Sequence, residues 1–148
     1  MRNSDRKNNK SPLEDVEMFL NLLHRDGSVF QVAAIGVQSP KSELWNGFAS
    51  GSNPIVLGWF QDPKVAADTI TNIDEDSSVA PKGIYVSLNP MNPSLLSRSN
   101  QRLKAGIGAT RDEDVECFRH LFIDLDPKRP SDTNSSEREH ASTLRKAD

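Results

Sequence analysis

Ile55-Val56-Leu57-Gly58-Trp59-Phe60-Gln61-Asp62-Pro63 hands a strand directly to a helix, and that junction decides the class of fold. The run from Ile55 to Phe60 carries no charge, as a strand packed on its faces requires. Asp62 offers an N-cap oxygen and Pro63 a first helical residue with no amide hydrogen to lose, so Val65, Ala66, Ile70 and Ile73 read as the apolar stripe of a helix.

The same alternation extends both ways. Upstream, Ser28 to Val37 is rich in Val, Ile, Phe and Ala and reads as a strand. Before it, Ser11-Pro12 opens a helix through Leu13, Val16, Phe19, Leu20 and Leu23, with Glu14 and Asp15 in its first turn and Asp26-Gly27 ending it. His24 falls in the last turn, where a cation interacts well with the helix dipole. Gln38 to Asn53 reads as a long loop holding Trp45 and Phe48. Downstream, Asp74 to Lys82 is a polar connector, and Gly83 to Leu88 is a strand stopped by Asn89-Pro90. Asn92-Pro93 starts a short helix through Leu95, Leu96 and Leu103. Lys104 to Thr110 is a loop, Asp112 to Glu116 a turn, and Ser136 to Lys146 a polar helix. Strands alternating with helices predict an α+β fold of mixed α/β layers.

At 148 residues the chain suits one domain. Its hydrophobic content of 35% falls below the ~45–50% usual for globular chains, which predicts unpacked ends: a flexible tail over residues 1–10 and a single domain over 11–148. No stretch approaches the ~20 apolar residues of a membrane helix, so a soluble, cytoplasmic protein with no membrane partner is expected. Cys117 is the only cysteine, which excludes an internal disulfide and a Cys-rich zinc site. Beside Phe118 it reads as a packed residue. The net charge of −3 gives no global nucleic-acid signature, although a local basic groove is enough for binding. No internal repeat and no Gly-rich phosphate loop is present.

The chemistry concentrates in Leu121-Phe122-Ile123-Asp124-Leu125-Asp126-Pro127. Residues two apart on a strand share a face, so Asp124 and Asp126 would point together. Their charges repel unless a cation lies between them. Oxygen donors of this kind suit Mg²⁺ or Mn²⁺, ions used in phosphoryl and nucleotidyl transfer. Without an ion, the pair is a solvated strand end or is balanced by Lys128 and Arg129. Those two cations, between Pro127 and Pro130, either meet a nucleotide or template phosphate or simply offset the acids. Arg98, Arg102 and Lys104 gather around the short helix as a nucleic-acid contact or as ordinary charged surface. Trp45, Trp59, Phe60 and Tyr85 could stack on bases. With six Phe, two Trp and one Tyr in the chain, the core claims most aromatics first.

Several of these motifs come in a familiar order. A Tyr85-Val86-Ser87-Leu88-Asn89-Pro90 strand precedes a Ser97-Arg98-Ser99-Asn100-Gln101-Arg102-Leu103 helix, a Thr110-Arg111-Asp112-Glu113-Asp114 turn and Leu121 to Pro130. Ser135-Ser136-Glu137-Arg138-Glu139 follows as the start of a helix. From Gly58 onward the chain resembles the primase-polymerases of phages, plasmids and related mobile elements, in the archaeo-eukaryotic primase superfamily. The resemblance implies a partial primase-polymerase fold that ends after the first catalytic-motif strand and its following helix. It implies that Asp124 and Asp126 are catalytic metal ligands for Mg²⁺ or Mn²⁺, with DNA and nucleotides as partners. In complete relatives a two-metal site activates the 3′-hydroxyl and stabilises the leaving pyrophosphate. The family's nucleotide-binding His and third acidic ligand lie farther along than Asp148, and neither His120 nor His140 stands in that position. A truncated, inactive chain is therefore expected, with an uncovered sheet edge prone to self-association.

Two other classes stay open. A haloacid dehalogenase-type phosphatase also carries Asp-x-Asp after a hydrophobic strand, with the first Asp as nucleophile. There the motif opens the fold, whereas Asp124 comes late in this chain. The other class is a non-catalytic nucleic-acid-binding or regulatory module.

Overall fold

The computed structural model describes residues 12–121, 134 and 136–145. In chain order the elements are α1 (Pro12–His24), β1 (Phe30–Ile35), β2 (Trp45–Asn46), β3 (Ile55–Phe60), α2 (Pro63–Glu75), β4 (Gly83–Val86), a 3₁₀ helix at Pro93–Ser97, β5 (Leu103–Ala105), a 3₁₀ turn at Asp112–Asp114, and α3 (Glu137–Leu144). This is a mixed α+β architecture around one five-stranded sheet of order β2-β5-β3-β1-β4. β1 pairs antiparallel with β3 and β4, and β3 pairs antiparallel with β5. Only β2 and β5 run parallel.

The central register, Phe30↔Phe60 through Ile35↔Ile55, sorts side chains by parity because successive residues point to opposite faces. Phe30, Val32, Ala34, Val56 and Phe60 face one way and pack with Leu13, Val16 and Leu20 of α1 and Val65, Ala66, Ala67 and Ile73 of α2. Leu57 and Trp59 face the other way, under Met91, Leu95, Ile107 and Val115. Both faces of β3 are thus buried, which is why its sequence is continuously apolar rather than alternating.

α2 starts as its sequence demands. The Asp62 carboxylate accepts from the Lys64 amide at 2.9 Å and from Val65 at 3.4 Å, with Pro63 in the first turn. The turn after α1 closes at Gly27, whose amide donates to the His24 carbonyl at 3.3 Å and whose φ of +72° is the left-handed conformation glycine adopts freely. α3 is opened by Ser136, whose hydroxyl accepts from the Glu139 amide while Glu139 reaches back to the Ser136 amide at 2.8 Å.

Four local expectations are corrected. Leu103 does not extend the short helix and Lys104 does not begin a loop: both belong to β5. The 3₁₀ helix stops at Ser97, and Gln101 turns the chain with φ +53°, its side chain accepting from the Gln61 amide at 3.1 Å. Pairing with β3 then draws Leu103–Ala105 into the sheet. The expected loop from Gln38 to Asn53 contains β2, which carries Trp45 into the core. Cys117 is exposed and Phe118 is 86% exposed, because that segment is held through its backbone rather than by packing. Leu121, expected to begin a strand, is irregular and 85% exposed. The tail over residues 1–10, the Ser11 cap and residues 122–133 lie outside the described residues.

Gly58 is where β3 tolerates no side chain, since an added Cβ would meet the Arg102 carbonyl oxygen at 2.0 Å. That obstacle is backbone of the turn leading into β5, so it cannot swing away. Gly58→Ala is expected to cost about 1–3 kcal/mol and to lower the urea midpoint. Gly108→Ala, with open space around its Cβ, should stay within about 0.5 kcal/mol of wild type. Equal midpoints for the two variants would show that the close approach at Gly58 is not needed for the fold.

Candidate functional site

The approach to the carboxylate segment is built from the end of β4. Beyond Val86 the chain continues beside β1: the Ser87 amide donates to the Gln31 carbonyl at 3.0 Å, and the Gln31 amide donates to the Ser87 hydroxyl at 3.0 Å. Met91 bridges Val29 on one side and Val115 on the other. The Asn92 amide donates to Asp114 at 2.8 Å and the Glu116 amide to Pro90 at 2.9 Å. Residues 114–120 therefore run antiparallel to 89–92, along the side of that segment away from β1.

Asn89 closes this joint. Its Oδ1 accepts from the Arg119 amide at 2.8 Å and the His120 amide at 2.9 Å, and its Nδ2 donates to the His120 carbonyl at 3.3 Å. One side chain thus satisfies three backbone groups of a segment that has no strand partner there. In the sequence Asn89-Pro90 signals only the end of a strand. The signal for its role is the amide side chain, which offers a donor and an acceptor together.

α1 reaches the same place. His24 is fully buried, its ring stacked on Phe30 with centroids 4.4 Å apart, and its Nε2 lies 2.9 Å from the Ser87 carbonyl. A carbonyl only accepts, so Nε2 carries the hydrogen, while Nδ1 is buried without a partner. His24 is therefore a neutral buried histidine and not the dipole-facing cation expected from its place in the last turn. Burial is the main cause that lowers its pKa below the usual value; the Ser87 hydrogen bond opposes this and His120 adds to it. His120 sets Nε2 3.3 Å from the Leu23 carbonyl, and Arg119 forms an ion pair with Asp26. Leu22, Leu23, Arg25, Asp26, Arg119 and His120 line a groove of about 440 Å³.

Of the residues expected to carry chemistry, Asp124, Asp126, Lys128 and Arg129 lie outside the described residues. Arg98, Arg102 and Lys104 do not share a helix. Arg98 follows the 3₁₀ helix and sits 5.7 Å above the Trp59 ring, Arg102 is exposed in the turn before β5, and Lys104 is on β5. Arg98 instead joins Arg111, Glu113 and Asp114 around a cavity of about 330 Å³. Arg111, part of the Thr110-to-Asp114 turn motif, sits beside Glu113 at 3.5 Å, with both side chains largely in solvent. Trp45, Trp59 and Phe60 are buried, while Tyr85 is 59% exposed. Among the described residues no three His, Cys, Asp or Glu side chains gather as a metal site. No described helix is long and apolar enough to cross a membrane.

Comparison with known proteins adds nothing to this geometry: no family model, curated protein or solved structure matches the chain.

Two outcomes follow from the joint. Asn89→Ala leaves the Arg119 and His120 amides without their acceptor, at a cost of about 1 kcal/mol. Faster hydrogen exchange at those two amides is the expected readout; unchanged exchange would mean that Asn89 does not hold the segment. For His24, the lowered pKa means that the unfolded chain takes up a proton more readily than the native one. Stability should be fully present above pH ~6.5 and fall as the pH drops below it. Urea midpoints across that range, compared with His24→Gln, would register the difference as a flatter acid limb in the variant.

Proposed function

We propose that this chain contributes the first metal-binding motif of a primase-polymerase-like nucleotidyltransferase, with Asp124 and Asp126 as ligands for Mg²⁺ or Mn²⁺ and with DNA and nucleotides as partners. The observation that carries the reading is the Asn89 joint. It ties the Tyr85-to-Pro90 motif to Arg119 and His120, and Asp124 follows His120 by four positions in the sequence. The Asn92-to-Asp114 hydrogen bond links the turn motif to the same strand extension. Two motifs of the resemblance, Tyr85 to Pro90 and Thr110 to Asp114, thus lie side by side, and the carboxylate motif follows them in the sequence.

The donor set fits the proposed ion. Two carboxylates one residue apart supply hard oxygen ligands and leave positions for water and substrate phosphate, as Mg²⁺ prefers. When bound, such an ion supplies charge neutralisation for phosphoryl oxygens and lowers the pKa of a coordinated hydroxyl. The chain's own part is to hold two like charges together and to anchor the segment that bears them. Lys128 and Arg129, two and three positions beyond Asp126, would contact phosphate.

Mn²⁺ should raise the melting temperature of the wild-type chain, and Asp124→Asn and Asp126→Asn should each blunt that rise. Without metal, either variant should melt at or slightly above the wild-type temperature, because one of two repelling charges is gone. An equal Mn²⁺ response in Asp124→Asn would sink the metal role. If the double variant also bound nucleic acid as well as wild type, a non-catalytic binding module would be the better reading.

A further inference from the structure

We propose that α1 is a self-association surface: its outer stripe of Asp15, Met18, Leu22 and Arg25 pairs antiparallel with the same stripe of a second copy of this chain. None of the proposed metal ligands takes part, and the metal reading is not needed for it.

The stripe is out of place on a helix that faces only water. At 3.6 residues per turn, fully buried Leu20 and His24 mark the inward side of α1, and Met18, Leu22 and Arg25 fall on the opposite side. That side of a surface helix is ordinarily polar. Here Met18 is 55% and Leu22 67% exposed, with Phe19 at 52% on the flank. Three of the nine exposed large apolar residues among the described ones thus fall within two turns of one helix, as a patch rather than as scattered single exposures. The apolar surface continues past the end of α1. Leu22 also lines the groove beside Arg25 and His120, and Leu121, which follows His120, is exposed.

Charge selects the occupant. Asp15 stands in the acidic first turn with Glu14, and Arg25 follows directly after the last turn. Both are exposed, and neither has an ion-pair partner among the described residues. Spacings of three, four and three positions keep Asp15, Met18, Leu22 and Arg25 in one row. Read along the helix, the row is acid, apolar, apolar, base, so it complements itself when reversed. With a two-fold axis level with Leu20, Asp15 meets the partner's Arg25 and Met18 meets the partner's Leu22. Each contact then occurs twice, as a closed two-fold interface requires. Helices packed about 8–10 Å apart let such side chains meet. A parallel pair would set Asp15 against Asp15 and Arg25 against Arg25, and like charges disfavour it. Any apolar partner could cover Met18 and Leu22, but a second copy brings both countercharges at the matching spacing. At 13 residues the helix is smaller than the ~20–30 residues a side of a standard interface, so the dimer is reversible and concentration-dependent.

Sedimentation equilibrium in EDTA, from micromolar to millimolar chain, reads the association without any metal-dependent step. Wild type is expected to move from monomer toward dimer as its concentration rises. Leu22→Ser should weaken the dimer about tenfold or more, because the lost contact occurs twice, and should leave the urea midpoint unchanged, because the side chain is exposed. Asp15→Arg and Arg25→Asp should each weaken it by repulsion. An equimolar mixture of those two variants should associate at least as well as wild type, since one chain then carries two cations and the other two anions at the facing positions. A wild type that stays monomeric throughout would overturn the dimer, and Leu22→Ser that then also lost binding of an apolar dye would assign the stripe to another partner. A dimer that Leu22→Ser leaves intact would overturn it too, because the contact would lie elsewhere, as at the sheet edge. Failure of the mixture to recover association would overturn the antiparallel pairing. Asp124→Asn/Asp126→Asn should dimerise like wild type, so a failed Mn²⁺ response leaves this surface standing and a monomeric wild type leaves the metal reading standing.

Discussion

The pairing of Phe30–Ile35 with Ile55–Phe60 is the constraint from which the rest of the molecule follows. A strand has only two faces, and a shift of one residue would exchange them completely. With Phe30 opposite Phe60, the bulky even-numbered positions meet the helices and the odd-numbered ones meet Met91 and Leu95. Trp59 and Phe60 are adjacent and both fully buried, which is possible only because β3 is covered on both sides. Each buries apolar surface worth about 1.5–3 kcal/mol, so a slip would lose both contributions at once. Gly58, just before them, must lack a side chain because the Arg102 backbone occupies the space a Cβ would fill.

What was legible in the sequence is what local chemistry decides. Asp62-Pro63 announced α2, Ser136 with Glu139 announced α3, and the uncharged run from Ile55 to Phe60 announced a buried strand. In each case the deciding residues are within a few positions of one another. β5 was not legible, because Leu103–Ala105 owes its conformation to β3, more than forty positions earlier. β2 was missed for the same reason: two residues form no pattern, and Trp45–Asn46 is a strand only through Leu103 and Lys104. His24 shows the complementary failure. Its position in the helix was right, but its charge depends on Phe30 and Ser87, which the helix alone does not reveal.

At the candidate site the same division holds, with the roles of polar residues reversed. Asn89 looked like punctuation and acts as a fastener, because an amide side chain can stand in for a missing strand partner. Such a joint is local and cheap to break, unlike the core beneath it. It fixes Arg119 and His120, the residues that lead in sequence toward Asp124. His24 and His120 add two more ties from α1, through the Ser87 and Leu23 carbonyls. The segment from Asp114 to His120 is therefore held largely by hydrogen bonds, while the fold is governed by apolar packing at its centre.

The net charge of −3 argues against nucleic acid only if charge is read as a single sum. Screening shortens electrostatic reach to about 8 Å at physiological ionic strength, so a bound strand responds to the cations beside it and hardly to acids on the far side of a sheet. Here the acids of α1 and α2 are on one side of the sheet, while Ser77 to Arg111 contributes none and Asp112, Glu113 and Asp114 follow directly after it. The acids also serve the fold where they stand, with Glu14 and Asp15 at the positive end of α1 and Asp62 capping α2. On the other side Arg98 and Arg111 share one cavity with Glu113 and Asp114, so opposite charges meet there within screening range and the net charge by itself decides nothing about a partner.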